Sequence, residues 1–155
     1  MRRCLLLISL MSALMWLSPC RADNSVSREY NLLMQVRGND ITAICMMDTS
    51  ADDTTVGTVV NEFGVKAFDF RFSNGKAVVF NVIGPLNKWF IRRVLRRDFT
   101  FILKHIFSGK DAMEKKRSIT FLPSGDIKMS NCRHKIYYTF TPTSDNQRLS
   151  SETDR

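Results

Sequence analysis

Residues 57–107 read GTVVNEFGVKAFDFRFSNGKAVVFNVIGPLNKWFIRRVLRRDFTFILKHIF, and this stretch decides the fold. Its first two thirds alternate like β-strands, and the Ser73-Asn74-Gly75 sequence is typical of a tight hairpin turn. After Pro85, apolar residues recur at three- and four-residue spacing, which predicts an amphipathic helix. The stretch therefore predicts three strands followed by a long basic helix, with a break or bend near Asp98 left open.

The flanking segments predict further strands. Alternation from Glu29 and an apolar run over 41–47 indicate two strands joined by a Gly-Asn-Asp turn. After the helix, the charged segment KDAMEKKR reads as a linker, and three strands follow between Ser118 and Phe140. The sum is an α+β, mainly β fold: an antiparallel half-open β-barrel (five strands, helix, three strands) with the helix as a lid.

The N-terminus has the pattern of a secretory signal peptide. Two arginines precede a 13-residue apolar region, Leu5 to Leu17. The sequence allows two ends for this signal peptide. Leu17-Ser18-Pro19-Cys20 resembles a bacterial lipobox, in which Cys20 would be lipidated. The alternative is an ordinary signal peptide that is cleaved after Ala22. The expected organisation is a signal peptide (1–19), a flexible tether (20–28), a half-barrel domain (29–141) and a disordered polar tail (142–155).

The charge of the chain favours anionic partners. Removing Arg2 and Arg3 from the 23 basic residues leaves 21 against 15 acidic residues, a net charge of +6. An exported protein meets anionic lipid more readily than nucleic acid. We therefore expect an exported protein whose partners are anionic lipids, with no nucleic-acid partner.

The sequence does not indicate catalysis. It lacks the GxSxG, HExxH, P-loop and dinucleotide-binding patterns, and His105 and His134 have no partner at motif spacing. Cys45 and Cys132 lie on predicted strands, and they would form either a disulfide or two buried free thiols. We expect a non-enzymatic protein without a metal or cofactor.

The helix and the strand before it carry the candidate sites. The apolar residues would line a ligand cavity or belong to an ordinary core, and the basic ones would meet anionic headgroups or simply face solvent. The cavity candidates are Phe68, Phe70, Phe72, Phe90, Ile91, Val94, Leu95 and Ile102. The anionic-surface candidates are Lys88, Arg92, Arg93, Arg96 and Arg97, with Trp89 beside them.

The segments GTVVNEFGVKAFDFRF and KAVVFNVIGPLNKWFIRRVLRRDF resemble small bacterial lipoproteins related to the LolA/LolB-like half-barrels, the outer-membrane lipoprotein carrier and insertase proteins. The resemblance covers roughly residues 30–140 as architecture and is specific over 57–107. It implies an incomplete antiparallel barrel closed by helices, with an apolar cavity for acyl chains. It also implies a location in the periplasm, with the chain anchored to the outer membrane as a lipoprotein. The implied partners are a lipid or an acylated lipoprotein, and an envelope protein docked through the basic helix is the alternative.

Overall fold

The computed structural model describes residues 25–143, which form nine strands and one α-helix. The predicted signal peptide, Cys20 and nearly all of the predicted tail lie outside the described residues. In chain order the elements are β1 (Val26–Val36), β2 (Asn39–Thr49), β3 (Thr55–Asn61), β4 (Lys66–Ser73), β5 (Lys76–Phe80), a 3₁₀ turn (Gly84–Leu86), α1 (Trp89–Ile106), β6 (Ala112–Glu114), β7 (Arg117–Phe121), β8 (Ile127–Asn131) and β9 (Ile136–Pro142).

All nine strands belong to one antiparallel sheet in the order β5-β4-β3-β2-β1-β9-β8-β7-β6. The prediction of a mainly β, antiparallel fold with one helix is confirmed for the described residues. The prediction of eight strands is wrong, because the charged segment after the helix contributes β6, which pairs with β7. Within 25–143 the sheet is not closed into a barrel, since β5 and β6 are its two free edges.

The strand β6 was missed because it is short, as edge strands often are, and because it lies within a charged segment. Only three residues pair, Ala112 to Glu114, and Lys115 adopts a positive φ of 57° to turn the chain into β7.

A second difference from the prediction lies in the first strand. β1 begins at Val26, inside the segment expected to be a flexible tether, because its first residues pair with the end of β2.

The predicted hairpin turn is confirmed. Asn74 and Gly75 have φ values of 51° and 71°, the two positive φ angles that a type I′ turn requires. The turn joins β4 to β5, whose register pairs Ser73 with Lys76. It therefore fixes β5 at the edge of the sheet, where α1 meets it.

The helix α1 runs unbroken for 18 residues, so the break considered near Asp98 is absent. Asp98 is instead fully buried on the core side of the helix. The helix packs against β5 at one end of the sheet and against β7 and β8 near the other. It also covers the free edge of β5, because the backbone N–H of Ala77 donates to Thr100 Oγ1 at 3.0 Å.

The core lies between α1 and the sheet and is filled by aromatic side chains. The ring of Phe99 lies 5.1 Å from the rings of both Phe68 and Phe70 and 6.3 Å from that of Tyr138. All four side chains are at most 1% exposed. These edge-on and tilted contacts are the favoured geometries for aromatic pairs, so the helix is held by close packing.

We expect Gly57→Ala to destabilise the fold by about 2–3 kcal/mol. A Cβ on Gly57 would overlap both the carbonyl oxygen of Met46 on β2 and the ring of Phe70 on β4. The neighbouring backbone cannot withdraw without breaking strand pairing. Urea denaturation measures the effect, and Gly84→Ala is the matched control because a Cβ there meets no atom within 4 Å. Equal stabilities of the two variants would contradict the prediction.

Candidate functional site

A cleft of about 980 Å³ opens where the two edges of the sheet meet the helix. One wall is the hairpin end of β5, from Gly75 to Val78, and the floor is the second half of α1. The opposite wall is the β6–β7 hairpin, and Arg133 closes one side from the turn between β8 and β9. Four separate parts of the chain therefore face one concave space, which we call the basic cleft.

Cations dominate the lining of the basic cleft, and Glu114 is the one carboxylate among the lining residues. Lys104 Nζ lies 2.6 Å from Glu114 Oε1, so this pair is neutralised. Arg117 is paired with the buried Asp98 behind the cleft wall. The other five lining cations are exposed and make no ion pair with any residue in 25–143: Lys76, Arg96, Arg97, Lys115 and Arg133.

Asp98 is the centre of a buried polar cluster. Its carboxylate accepts hydrogen bonds from Arg117 Nε at 2.7 Å and from Asn131 Nδ2 at 2.7 and 3.0 Å. The Tyr138 hydroxyl donates to the same carboxylate at 3.1 Å. Burial, followed by the negative charge of Asp98, raises the pKa of Tyr138 well above its ordinary value, so the hydroxyl keeps its proton. The side chain of Asp98 thus connects α1 to three strands, β7, β8 and β9, through hydrogen bonds.

This cluster also orients a cleft residue. The Arg117 side chain is 21% exposed and uses its Nε to reach Asp98. Its two Nη groups donate to no residue in the described part of the chain, and the side chain lines the cleft. Because a guanidinium is planar and rigid, holding Nε sets the positions of both Nη groups. Arg117 is therefore a fixed donor in the cleft wall.

The outer side of α1 carries the predicted anionic-surface residues, and all five are exposed. We call them the basic face: Lys88, Arg92, Arg93, Arg96 and Arg97. None of the five forms an ion pair with another residue in 25–143. Two aromatic side chains stand beside them, with Trp89 exposed by 73% and Phe90 by 50%. Cations and exposed aromatic rings therefore share one end of the helix.

The predicted cavity residues are separated by the fold. Phe68, Phe70, Leu95 and Ile102 are buried together in the core. Phe72, Ile91 and Val94 are partly buried around it. Phe90 lies apart from them on the surface. The side chains that were expected to line a cavity beneath the helix thus pack within and around the core. The basic cleft lies outside this core.

The candidate disulfide between Cys45 and Cys132 is not formed in this structure, and both thiols are free. Cys45 points from β2 into the core, while Cys132 is exposed just beyond the end of β8. The two side chains therefore occupy different environments. Burial raises the pKa of the Cys45 thiol to about 12, which leaves it unreactive at neutral pH.

The two histidines do not assemble with a group of metal-binding side chains. Among the residues that the structure describes, no three His, Cys, Asp or Glu side chains lie close enough to hold a metal ion. His105 Nε2 is buried 3.8 Å from Glu114 Oε1, which is too long for a hydrogen bond. His134 lies in the turn after β8. No helix in the described residues is long and apolar enough to cross a membrane.

Sequence reasoning did not find the Asp98 cluster or the basic cleft. Asp98 falls between Leu95 and Ile102 on the apolar stripe of α1, at helical spacing, and that position is the signal of a buried acid. The partners Arg117, Asn131 and Tyr138 come from three strands after the helix, so spacing could not reveal them. The cleft cations are likewise spread over residues 76–133.

Comparison with known proteins gave no relative from which a function could be transferred. No protein-family model, curated protein or solved structure matches the chain.

Proposed function

We propose that this chain is an exported, non-enzymatic lipid-binding protein of the cell envelope that contacts anionic headgroups through the basic face of α1. The observation that carries the proposal is the set of five exposed, unpaired cations beside Trp89 and Phe90. Cations attract lipid phosphates, and aromatic rings favour the headgroup region of a bilayer. The proposed lipid on Cys20 would keep this face close to a membrane.

The half-open barrel with a helical lid, implied by the resemblance to the LolA/LolB-like proteins, belongs to the same proposal. An acyl chain beneath the helix would have to displace Phe99, which contacts Phe68 and Phe70. Displacing these contacts costs free energy because core side chains are tightly packed. We therefore propose the outer face as the primary lipid contact, with space beneath α1 opening only when the helix moves away from β5.

A second candidate function is docking of an acidic envelope protein, such as a lipoprotein, on the basic face. The filled core favours it, since a docking protein needs no internal cavity. Electrostatic complementarity would then select the partner and speed association. Variants that remove cations from the basic face separate the two functions. Such variants would lose a protein partner even when no anionic vesicles are present.

We expect the variant Lys88→Gln, Arg92→Gln, Arg93→Gln to bind anionic vesicles roughly a hundredfold more weakly, at about 1 kcal/mol per cation. Glutamine keeps a high helix propensity, so α1 should remain intact. The measurement is cosedimentation with phosphatidylglycerol vesicles, using chains with Cys20→Ala so that no lipid anchor contributes. Binding should also weaken as salt is raised.

The matched control is Lys110→Gln, Lys116→Gln, Lys128→Gln, which removes the same charge from exposed positions off the helix. It should bind within about twofold of the parent chain if the basic face is specific. Equal losses in both variants, or no preference for anionic over phosphatidylcholine vesicles, would contradict the proposal.

A further inference from the structure

The basic cleft and the basic face share Arg96 and Arg97, but they differ in shape. The face is one side of a helix, whereas the cleft has walls from β5, α1 and the β6–β7 hairpin. Its five unpaired cations are distributed over these walls and Arg133 closes the side. Like charges that line one cleft repel one another, so an anion bound between them would stabilise the arrangement. A concave, cationic space of this kind suits one discrete ligand.

We infer that the basic cleft is a binding site for a ligand carrying two or more phosphate groups. Five unpaired cations exceed what one phosphate needs, because a phosphate monoester carries at most two negative charges at neutral pH. Arginine binds phosphate oxygens in a bidentate way, and lysine adds a compact point charge. The mixture of Lys76, Arg96, Arg97, Lys115 and Arg133 therefore matches several neighbouring phosphates.

The buried cluster behind the wall strengthens the assignment. Asp98 holds Arg117 by its Nε at 2.7 Å, and the Nη groups of Arg117 have no partner in the described residues. A donor pair that is already oriented binds an anion without first losing side-chain freedom. Thr100 lies in the floor of the cleft, but its hydroxyl is occupied, since it donates to the Arg96 carbonyl oxygen at 2.7 Å.

The size and composition of the cleft narrow the class of ligand. A volume of about 980 Å³ accommodates a small molecule or a lipid headgroup. Phe101 is the one aromatic residue among those that line the cleft, and it is only 4% exposed. Single-stranded nucleic acid is usually held by exposed aromatic rings on which bases stack. The cleft is therefore built for clustered phosphates rather than for bases.

This site goes beyond the proposed function, because it requires no membrane. The test uses two triple variants of equal charge that do not overlap. The cleft variant is Lys76→Gln, Lys115→Gln, Arg133→Gln, and none of these residues belongs to the basic face. The face variant is Lys88→Gln, Arg92→Gln, Arg93→Gln, and none of these residues lines the cleft.

Inorganic tripolyphosphate is the probe, and titration calorimetry of the full mature chain is the measurement. The cleft variant should bind it roughly a hundredfold more weakly, given the strength of hydrogen bonds to charged groups. The face variant should bind it within about twofold of the parent chain. Absence of binding by the parent chain would overturn the assignment, as would equal losses in the two variants, which would indicate a general charge effect.

Vesicles then distinguish a lipid headgroup from a soluble polyphosphorylated molecule. Cardiolipin, with two phosphates per molecule, is compared with phosphatidylglycerol at equal surface charge. A cardiolipin preference that only the cleft variant loses assigns the site to a lipid headgroup. Tripolyphosphate binding without that preference assigns it to a soluble ligand. Failure of the proposed function would appear separately, as unchanged vesicle binding by the face variant.

Discussion

Replacing Asp98 with alanine is expected to lower the free energy of unfolding by about 3–5 kcal/mol. The carboxylate is fully buried and accepts hydrogen bonds from Arg117, Asn131 and Tyr138. Its loss leaves a largely buried guanidinium without a counter-charge and two buried donors without an acceptor. Urea denaturation, followed by circular dichroism, measures the change through the midpoint at constant slope.

Two further variants interpret that result. Asp48→Ala removes an exposed carboxylate from β2 and should stay within about 0.5 kcal/mol of the parent chain. Asp98→Leu combined with Arg117→Met should recover part of the loss, because no charge then remains buried without a partner. A loss below about 1 kcal/mol for Asp98→Ala would show that the cluster does not hold α1 to the sheet.

Replacing Phe99 with alanine is expected to destabilise the fold by about 3–5 kcal/mol. The side chain is 1% exposed and its ring contacts Phe68, Phe70 and Tyr138, so the substitution leaves a cavity between the helix and the sheet. This experiment also bears on the proposed acyl site. A space that is normally open beneath α1 would tolerate the loss of one ring far better than a filled core.

Phe63→Ala is the matched control, because Phe63 is 80% exposed in the β3–β4 turn and its loss should change stability by less than about 0.5 kcal/mol. Phe99→Leu, which keeps more of the side-chain volume, should fall between the two. If Phe99→Ala remained as stable as the control, the conclusion that side chains are closely packed beneath the helix would be wrong. An interior ligand cavity would then be favoured.

The main elements could be read from the sequence because their signals are local. Alternation over 57–82 predicted the strands, and Asn74-Gly75 predicted the turn. The spacing of apolar residues predicted α1, and its exposed basic side followed from the same periodicity. In each case the period of the backbone decides which side chains share a face, and neighbouring residues alone establish that period.

The remaining features depend on pairing between distant residues. β6 forms because its backbone meets β7, even though the charged segment that contains it was interpreted as a linker. The last three residues of the predicted tether, 26–28, join β1 because β2 supplies partners as far as Thr49. The backbone of almost any residue can form hydrogen bonds to a neighbouring strand. Residue composition is therefore a weak predictor of strands at sheet edges.

The sequence by itself determined a mainly β, antiparallel protein with one amphipathic helix whose outer side is basic, because local periodicity and turn chemistry are sufficient for these features. Only the tertiary structure decided that Asp98 would meet Arg117, Asn131 and Tyr138. It also brought Lys76 and Arg133, far apart in the chain, into the lining of one cleft. The physical reason is that both sites are assembled from strands that are distant in the sequence, and strand order, which local patterns do not encode, decides which strands lie beside the helix.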